Sequence, residues 1–202
     1  MKNADNTNKK QKDTTVYVFL TCVNPGVIFK LSKIQLNNKV NYVCKREYAV
    51  NRDFFEIVEA LDFSNTQDVY VCAGPGSYTG IRQTLSFGVG LSVKDTYNIH
   101  VFNLFDFIKT LTGYEDIIIN GFSKKPFSRG FALIDNEYTY VNLTESEIEK
   151  LKNENKTYLA DDVSSLFTCN NVTKFIQEFT GFSADIKPLY INPVNITKSK
   201  AK

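Results

Sequence analysis

The sequence predicts an α/β protein whose mixed sheet opens as an antiparallel meander and whose chain divides into two subdomains. Three observations predict it. Three strand-like runs follow one another at short spacing near the start. The apolar period then switches from 2 to 3.6 around residues 52–61. Finally, a short apolar strand at 68–73 runs into a glycine loop and a helix. Taken in order, 15–23 (TVYVFLTCV) is rich in β-branched and aromatic residues and reads as the first strand. Asn24-Pro25-Gly26 turns the chain into a second strand over 27–36. Asn37-Asn38 turns it again into a third strand over 40–48. Phe54, Phe55, Val58 and Leu61 stand at helical spacing. After the loop, a helix is predicted over 78–94 and a strand over 99–102. Asn103 caps a further helix that Gly113 closes. The second half gives a strand at 116–119 and a hairpin turning at Asp135-Asn136. A capping box of Thr144 and Glu147 then opens a short helix, followed by a strand at 157–160. A helix over 172–179 stopped by Gly181 precedes a last extended piece at 188–191. The order β-β-β-α-β-α-β-α is that of ribonuclease-H-like and actin-like folds, an analogy that assigns no function.

Composition narrows the class. The chain has 202 residues, 43% hydrophobic and 23% charged, with a net charge of +2. That suits a globular protein able to bury a core without a disulfide or metal. Lysines 2, 9, 10 and 12 make a basic arm over 1–12, and lysines 198, 200 and 202 a basic tail over 196–202. Both are read as disordered. The body between them is net acidic, unlike a dedicated nucleic-acid binder. The subdomains are expected over 13–103 and 104–195. No leader-like or membrane-spanning run is present, so a cytoplasmic location is expected. Cys22, Cys44, Cys72 and Cys169 are far apart, and His100 is the only histidine. They are read as small buried residues in a reducing compartment, with no zinc site. Four N-x-T triplets are read as chance in an asparagine-rich chain.

The sharpest local feature is Gly74-Pro75-Gly76-Ser77-Tyr78-Thr79-Gly80 between strand and helix. Such a loop could present backbone N–H groups to an anion. It lacks the third glycine of a dinucleotide fingerprint and the lysine of a Walker loop. The competing reading is a tight turn in which Ser77 caps the helix. Along that helix Ile81, Leu85 and Val89 form one stripe, and Thr84, Gly88 and Ser92 a second made only of small residues. Gly88 and Gly90 each lower helix propensity by about 1 kcal/mol relative to Ala, which suggests close approach of another element. The two stripes are not expected to face the same sheet. Arg82 could meet an acidic partner or cap a carboxylate of its own chain.

Catalytic constellations are scarce. Ser77 with His100 would need an orienting carboxylate. A metal-dependent nuclease would need carboxylates on the first strand, and none stands between Val16 and Val23. His100 is read as structural.

The run Val71-Cys72-Ala73-Gly74-Pro75-Gly76-Ser77-Tyr78-Thr79-Gly80-Ile81-Arg82 resembles the G-P-G-S-F-T-G-[LI]-R signature of the TsaB (YeaZ) family, with Tyr78 in place of Phe. Asp68, the small-residue helix and the strand and helix from Ile99 agree with the family's layout. Pro188-Leu189-Tyr190-Ile191 is similar to its P-x-Y-[LI]-R ending, with Asn192 for Arg. The resemblance implies an actin-like, Hsp70-like fold without intrinsic activity. It implies a partner subunit of a TsaD-like threonylcarbamoyl transferase, working with a TsaE-like ATPase on tRNA beside the anticodon. Homodimers, only indirect tRNA contact and no membrane are implied as well. ATP and Mg would act on the partners, so no cofactor is expected on this chain. The contact candidates are Phe55, Glu59, Arg82, Leu85, Gly88, Val89 and Ser92. The chain departs from the family at Thr21-Cys22-Val23, where a D-T-S is usual, and around 48–52 and 124–133. The alternative is a stand-alone actin-fold phosphotransferase or peptidase. Direct tRNA binding by the basic tails is a third reading.

Overall fold

The computed structural model describes residues 13–23, 25–36, 39–50, 54–93, 96–121 and 129–191. The two basic segments, the turns at Asn24 and 37–38, and residues 124–128 of the 124–133 segment lie outside the described residues.

The first sheet has five strands in the order β3-β2-β1-β4-β5. They are β1 (Thr14–Leu20), β2 (Gly26–Leu36), β3 (Lys39–Val50), β4 (Thr66–Cys72) and β5 (Asn98–Phe102). The first three pair antiparallel, and β4 and β5 continue the sheet parallel to β1. β1 is central and its residues Val16–Leu20 are fully buried. A strand covered on both faces must be apolar throughout, which is why this segment shows no alternation.

Helix α1 (Phe54–Glu59) and helix α2 (Tyr78–Ser92) belong to one face. Phe54, Phe63 and Phe87 pack there with Tyr17 and Phe19 of β1, and Phe19 and Phe87 lie 5.3 Å apart. On the other face lie α3 (Leu104–Thr112) and α5 (Cys169–Glu178). Phe175 of α5 contacts Phe102 and Phe107 at 4.8 and 5.1 Å. α3 keeps its predicted ends: Asn103 and Asp106 form a capping box, and Gly113 takes the left-handed conformation at φ 78°.

The second sheet has the order β8-β7-β6-β9, from β6 (Asp116–Asn120), β7 (Gly130–Ile134), β8 (Glu137–Val141) and β9 (Thr157–Ala160). β6 pairs antiparallel with β7 and parallel with β9. This order repeats 3-2-1-4 of the first sheet, and α4 (Glu145–Glu154) stands before β9 as α1 stands before β4. The sequence carries no matching repeat. The likeness lies in the path of the chain alone. Ile117, Ile119 and Leu133 join the core cluster of the first sheet.

Three expectations are corrected here. Cys44 and Cys169 form a disulfide, with Cα atoms 5.5 Å apart, that ties β3 to the start of α5. Cys22 and Cys72 stay free and buried. Separations of 50 and 125 residues conceal two pairs that the fold brings together. Secondly, the first two members of each α2 stripe face the sheet, while Val89 is exposed and Ser92 half-buried. Ile81, Thr84, Leu85 and Gly88 are all buried, because i, i+3, i+4 and i+7 share one side of a helix. Thirdly, α5 ends at Glu178, so Gly181 is not its stop.

At the opposite end of the sheet from the glycine loop, Asp68 of β4 is 3% exposed. Lys33 donates to it at 2.7 Å and Asn98 at 3.0 Å, while His100 Nε2 lies 3.0 Å from it. His100 also stacks on Tyr70 at 4.4 Å, the satisfied structural histidine that the sequence suggested. Burial alone would raise the Asp68 carboxyl. The hydrogen bonds from His100, Lys33 and Asn98 outweigh it and hold the group well below the usual carboxylate range. A depressed carboxyl stabilises the fold above its unfolded value of about 4, and that share is lost as pH falls below it. Urea midpoints should therefore drop on acidification from pH 5 to 3. In Asp68→Asn the drop should be shallower, and stability at pH 7 lower by roughly 2–3 kcal/mol.

Candidate functional site

The glycine loop lies at the carboxyl ends of β1 and β4, the edge where open α/β sheets usually bind ligands. Several backbone groups in and beside it bond within the chain. Ser77 N donates to Cys22 O at 2.5 Å, Ala73 N to Phe102 O at 2.8 Å and Leu104 N to Gly74 O at 2.7 Å. Ser77 caps α2, its hydroxyl accepting from Gly80 N at 3.4 Å. The glycines serve contact with the end of β1. A Cβ on Gly76 would stand 2.0 Å from Cys22 O, and one on Gly80 2.1 Å from Thr21 O. The loop is thus the tight, capped turn and grips the residues that follow β1.

A second strand-like segment closes the same edge. Val101 and Ser183 exchange backbone hydrogen bonds of 2.7 and 2.9 Å, and Leu189 N donates to Ala73 O at 2.8 Å. Residues 183–189 therefore cover the carboxyl ends of β4 and β5. Tyr190 stacks on Tyr78 at 5.2 Å. A cavity of about 310 Å³ remains beside this strap, with Asn103, Asp106 and Lys187 among its lining residues. Burial raises the Asp106 carboxyl, although Asn103 hydrogen-bonds to it within the helix cap.

Thr21 and Cys22 stand where first-strand carboxylates would hold a cation. The Thr21 hydroxyl bonds to the Thr84 hydroxyl, and the Cys22 thiol lies 3.4 Å from that of Cys72. Burial pushes the Cys72 thiol well up, and the neighbouring Cys22 adds to it, so Cys72 is not activated for attack. Sequence reading missed a different juxtaposition. Asn120 at the end of β6, Asp161 and Asp162 after β9, and Val23 surround a cavity of about 100 Å³. Asn120 donates to Asp161 at 3.1 Å, and Asp162 caps the 3₁₀ turn Val163–Leu166. That volume is well under the roughly 300–1,000 Å³ of small-molecule sites. The repeated 3-2-1-4 topology is the only signal for this meeting, and it is not readable along the chain.

The outward side of α2 is the remaining surface of note. Arg82, Ser86, Val89 and Val93 run along it, with Gly90 between. Val89 is 48% and Val93 77% exposed, and Phe55 on α1 is 58% exposed beside the buried Phe54. Glu59 is exposed and Ser92 half-buried, its hydroxyl donating to Val89 O at 2.8 Å. The Arg82 guanidinium lies 5.1 Å from the Tyr78 ring centre and pairs with no carboxylate among the described residues. Thus Phe55, Glu59, Arg82, Val89 and Ser92 share the outward side of the helical layer or its border. Leu85 and Gly88, also expected to meet a partner, face inward instead. A Cβ on Gly88 would meet Val71 and Ile99 at 3.7 and 3.8 Å.

These elements define a mixed α/β protein with two sheets. Its glycine loop is a structural clasp beneath an exposed helical face. No family model matches the sequence, and no curated protein matches it. Among solved structures, it is similar to YeaZ from Pseudomonas aeruginosa, at 13% identity and a TM-score of 0.40. That match covers 65% of this chain and 61% of the other, less than two thirds of its length. It is also similar to a crystal structure described as an uncharacterized protein with similarity to peptidase YeaZ from Pseudomonas aeruginosa. There the identity is 11%, the TM-score 0.46, and the coverage 89% of this chain and all of that one. Among the described residues no helix is long and apolar enough to cross a membrane.

Proposed function

We propose that this chain is a non-catalytic docking subunit of a TsaD-like threonylcarbamoyl transferase, needed for threonylcarbamoyladenosine modification of tRNA next to the anticodon. The observation that carries the reading is the exposed, partly apolar face of α1 and α2, next to a signature loop whose Gly76 and Gly80 pack against the residues after β1. Apolar surface rimmed by polar residues suits a protein interface. The resemblance of 71–82 to the TsaB signature supports this reading, and the exposed helical face supports a role in contact. A TsaE-like ATPase joins the assembly, ATP and Mg act there, and tRNA is met through the partners. The same face serves a homodimer when the transferase is absent. An actin-like fold with two subdomains meeting between residues 103 and 104 accompanies this role. A cytoplasmic location goes with a Cys44–Cys169 bond that opens and closes reversibly, because the cytosol keeps thiols reduced.

Two glycines separate docking from folding. Gly90 has nothing within 4 Å of its would-be Cβ, and Gly88 has only ordinary contacts. Gly88→Ala and Gly90→Ala should each stabilise the isolated chain by about 0.5–1 kcal/mol. Gly90→Ala and Val89→Glu should weaken recovery of a tagged transferase partner, and Gly88→Ala should not. Thermal melts and co-purification with mass-spectrometric identification make the comparison. Equal recovery by Val89→Glu and the parent chain would sink the docking face. Gly88→Leu is no test of pairing, since the larger side chain would be driven into Val71 and Ile99.

A further inference from the structure

We propose that Cys44, Cys169 and Glu47 form a redox-gated site for one thiophilic divalent cation, closed while the disulfide holds and open once it is reduced. The three ligand atoms lie within 4.8 Å of one another. Two independent features build the group. Lys30 of β2 pairs with Arg46 and Leu31 with Cys44, so Lys45 is an extra residue in β3. Without that bulge Cys44 and Glu47, three apart, would point to opposite faces. With it they share one, and bulges commonly re-aim side chains in this way. Cys169 is the first residue of α5, behind the cap Thr168. A helix N-terminus favours the thiolate, the form that binds metal.

The chemistry balances in two steps. A dithiol or phosphine reductant takes the disulfide to two thiols and is itself oxidised by two electrons. The cation then replaces two thiol protons, which are released to solvent, and forms two metal–sulfur bonds. The Glu47 carboxylate gives a third ligand and water a fourth, the open tetrahedral arrangement of zinc. Zn–S bonds of about 2.3 Å set the sulfurs about 3.8 Å apart, a modest spread between half-buried side chains. Access is present, since a groove of about 400 Å³ lined by Asn170, Thr173 and Gln177 reaches both cysteines. The sequence expectation against zinc rested on cysteine spacing along the chain and on a single histidine, whereas these three ligands meet only in space and include no histidine.

The test uses the full chain, reduced with a phosphine and freed of it, then titrated with zinc against a chromophoric chelator and with cobalt as a spectroscopic probe. Reduced protein should take up one zinc, release about two protons and show thiolate-to-cobalt charge-transfer absorption. The oxidised protein should take up none. Cys44→Ser should lose the site, and Glu47→Gln, an exposed change that leaves the fold alone, should weaken it at least tenfold. No uptake by reduced protein overturns the proposal, as does uptake retained in Cys44→Ser or unchanged in Glu47→Gln.

Discussion

Gly80→Ala should cost enough to prevent accumulation of folded protein. The new methyl would lie 2.1 Å from Thr21 O, and a backbone oxygen directly after the central strand cannot swing aside as a side-chain tip can. Relief requires moving α2 or the chain after β1, which also separates Thr84 from Thr21. Gly76→Ala should behave alike, its Cβ falling 2.0 Å from Cys22 O. Losses above about 4–5 kcal/mol are exceptional and belong to clashes of this kind. Urea unfolding followed by circular dichroism gives the comparison with Gly90→Ala, the same chemical change at an open position. If Gly80→Ala melts within about 1 kcal/mol of the parent, the loop does not grip the first strand. An anion cradle would predict the reverse pattern, a stable fold with a lost ligand.

Reduction of Cys44–Cys169 should give the second large effect. The bond closes a loop spanning 125 residues and joins an edge strand of the first sheet to a helix that follows the second. Chain entropy assigns a cross-link of that span about 5 kcal/mol, and measured bonds mostly give 2–4. For a chain of this size, such a loss lowers the melting temperature by about 5–15 °C. Cys44→Ser and Cys169→Ser should each match the reduced parent, and reductant should then change neither variant. The helix itself should survive, because Val172, Phe175 and Ile176 remain buried against the sheet. Identical melting of oxidised and reduced parent would show that those apolar contacts alone hold α5 in place.

The two effects mark different kinds of information in the chain. Local chemistry was legible from residue order. Asn103 caps its helix and Thr144 with Glu147 makes a capping box, both as expected, since a cap needs only neighbours three positions apart. The strand runs and the switch to helical period were legible for the same reason. The loop signature located the candidate site, although not which reading of it holds. That answer needed the distance from Gly76 and Gly80 to the carbonyls after β1, more than fifty residues earlier.

The pairing of Cys44 with Cys169, the meeting of Asn120 with Asp161, and the shared inward turn of Ile81, Thr84, Leu85 and Gly88 had no local signature. Each depends on which strand lies beside which and on which side of a helix meets the sheet. Taken alone, then, the order of residues determined the elements, their caps and the signature loop, because these arise from interactions within a few positions. Tertiary structure decided the cysteine partners, the closure of the loop onto β1 and the choice of outward helical face. Those follow from burying one common core under two sheets, a condition that no short stretch of chain contains.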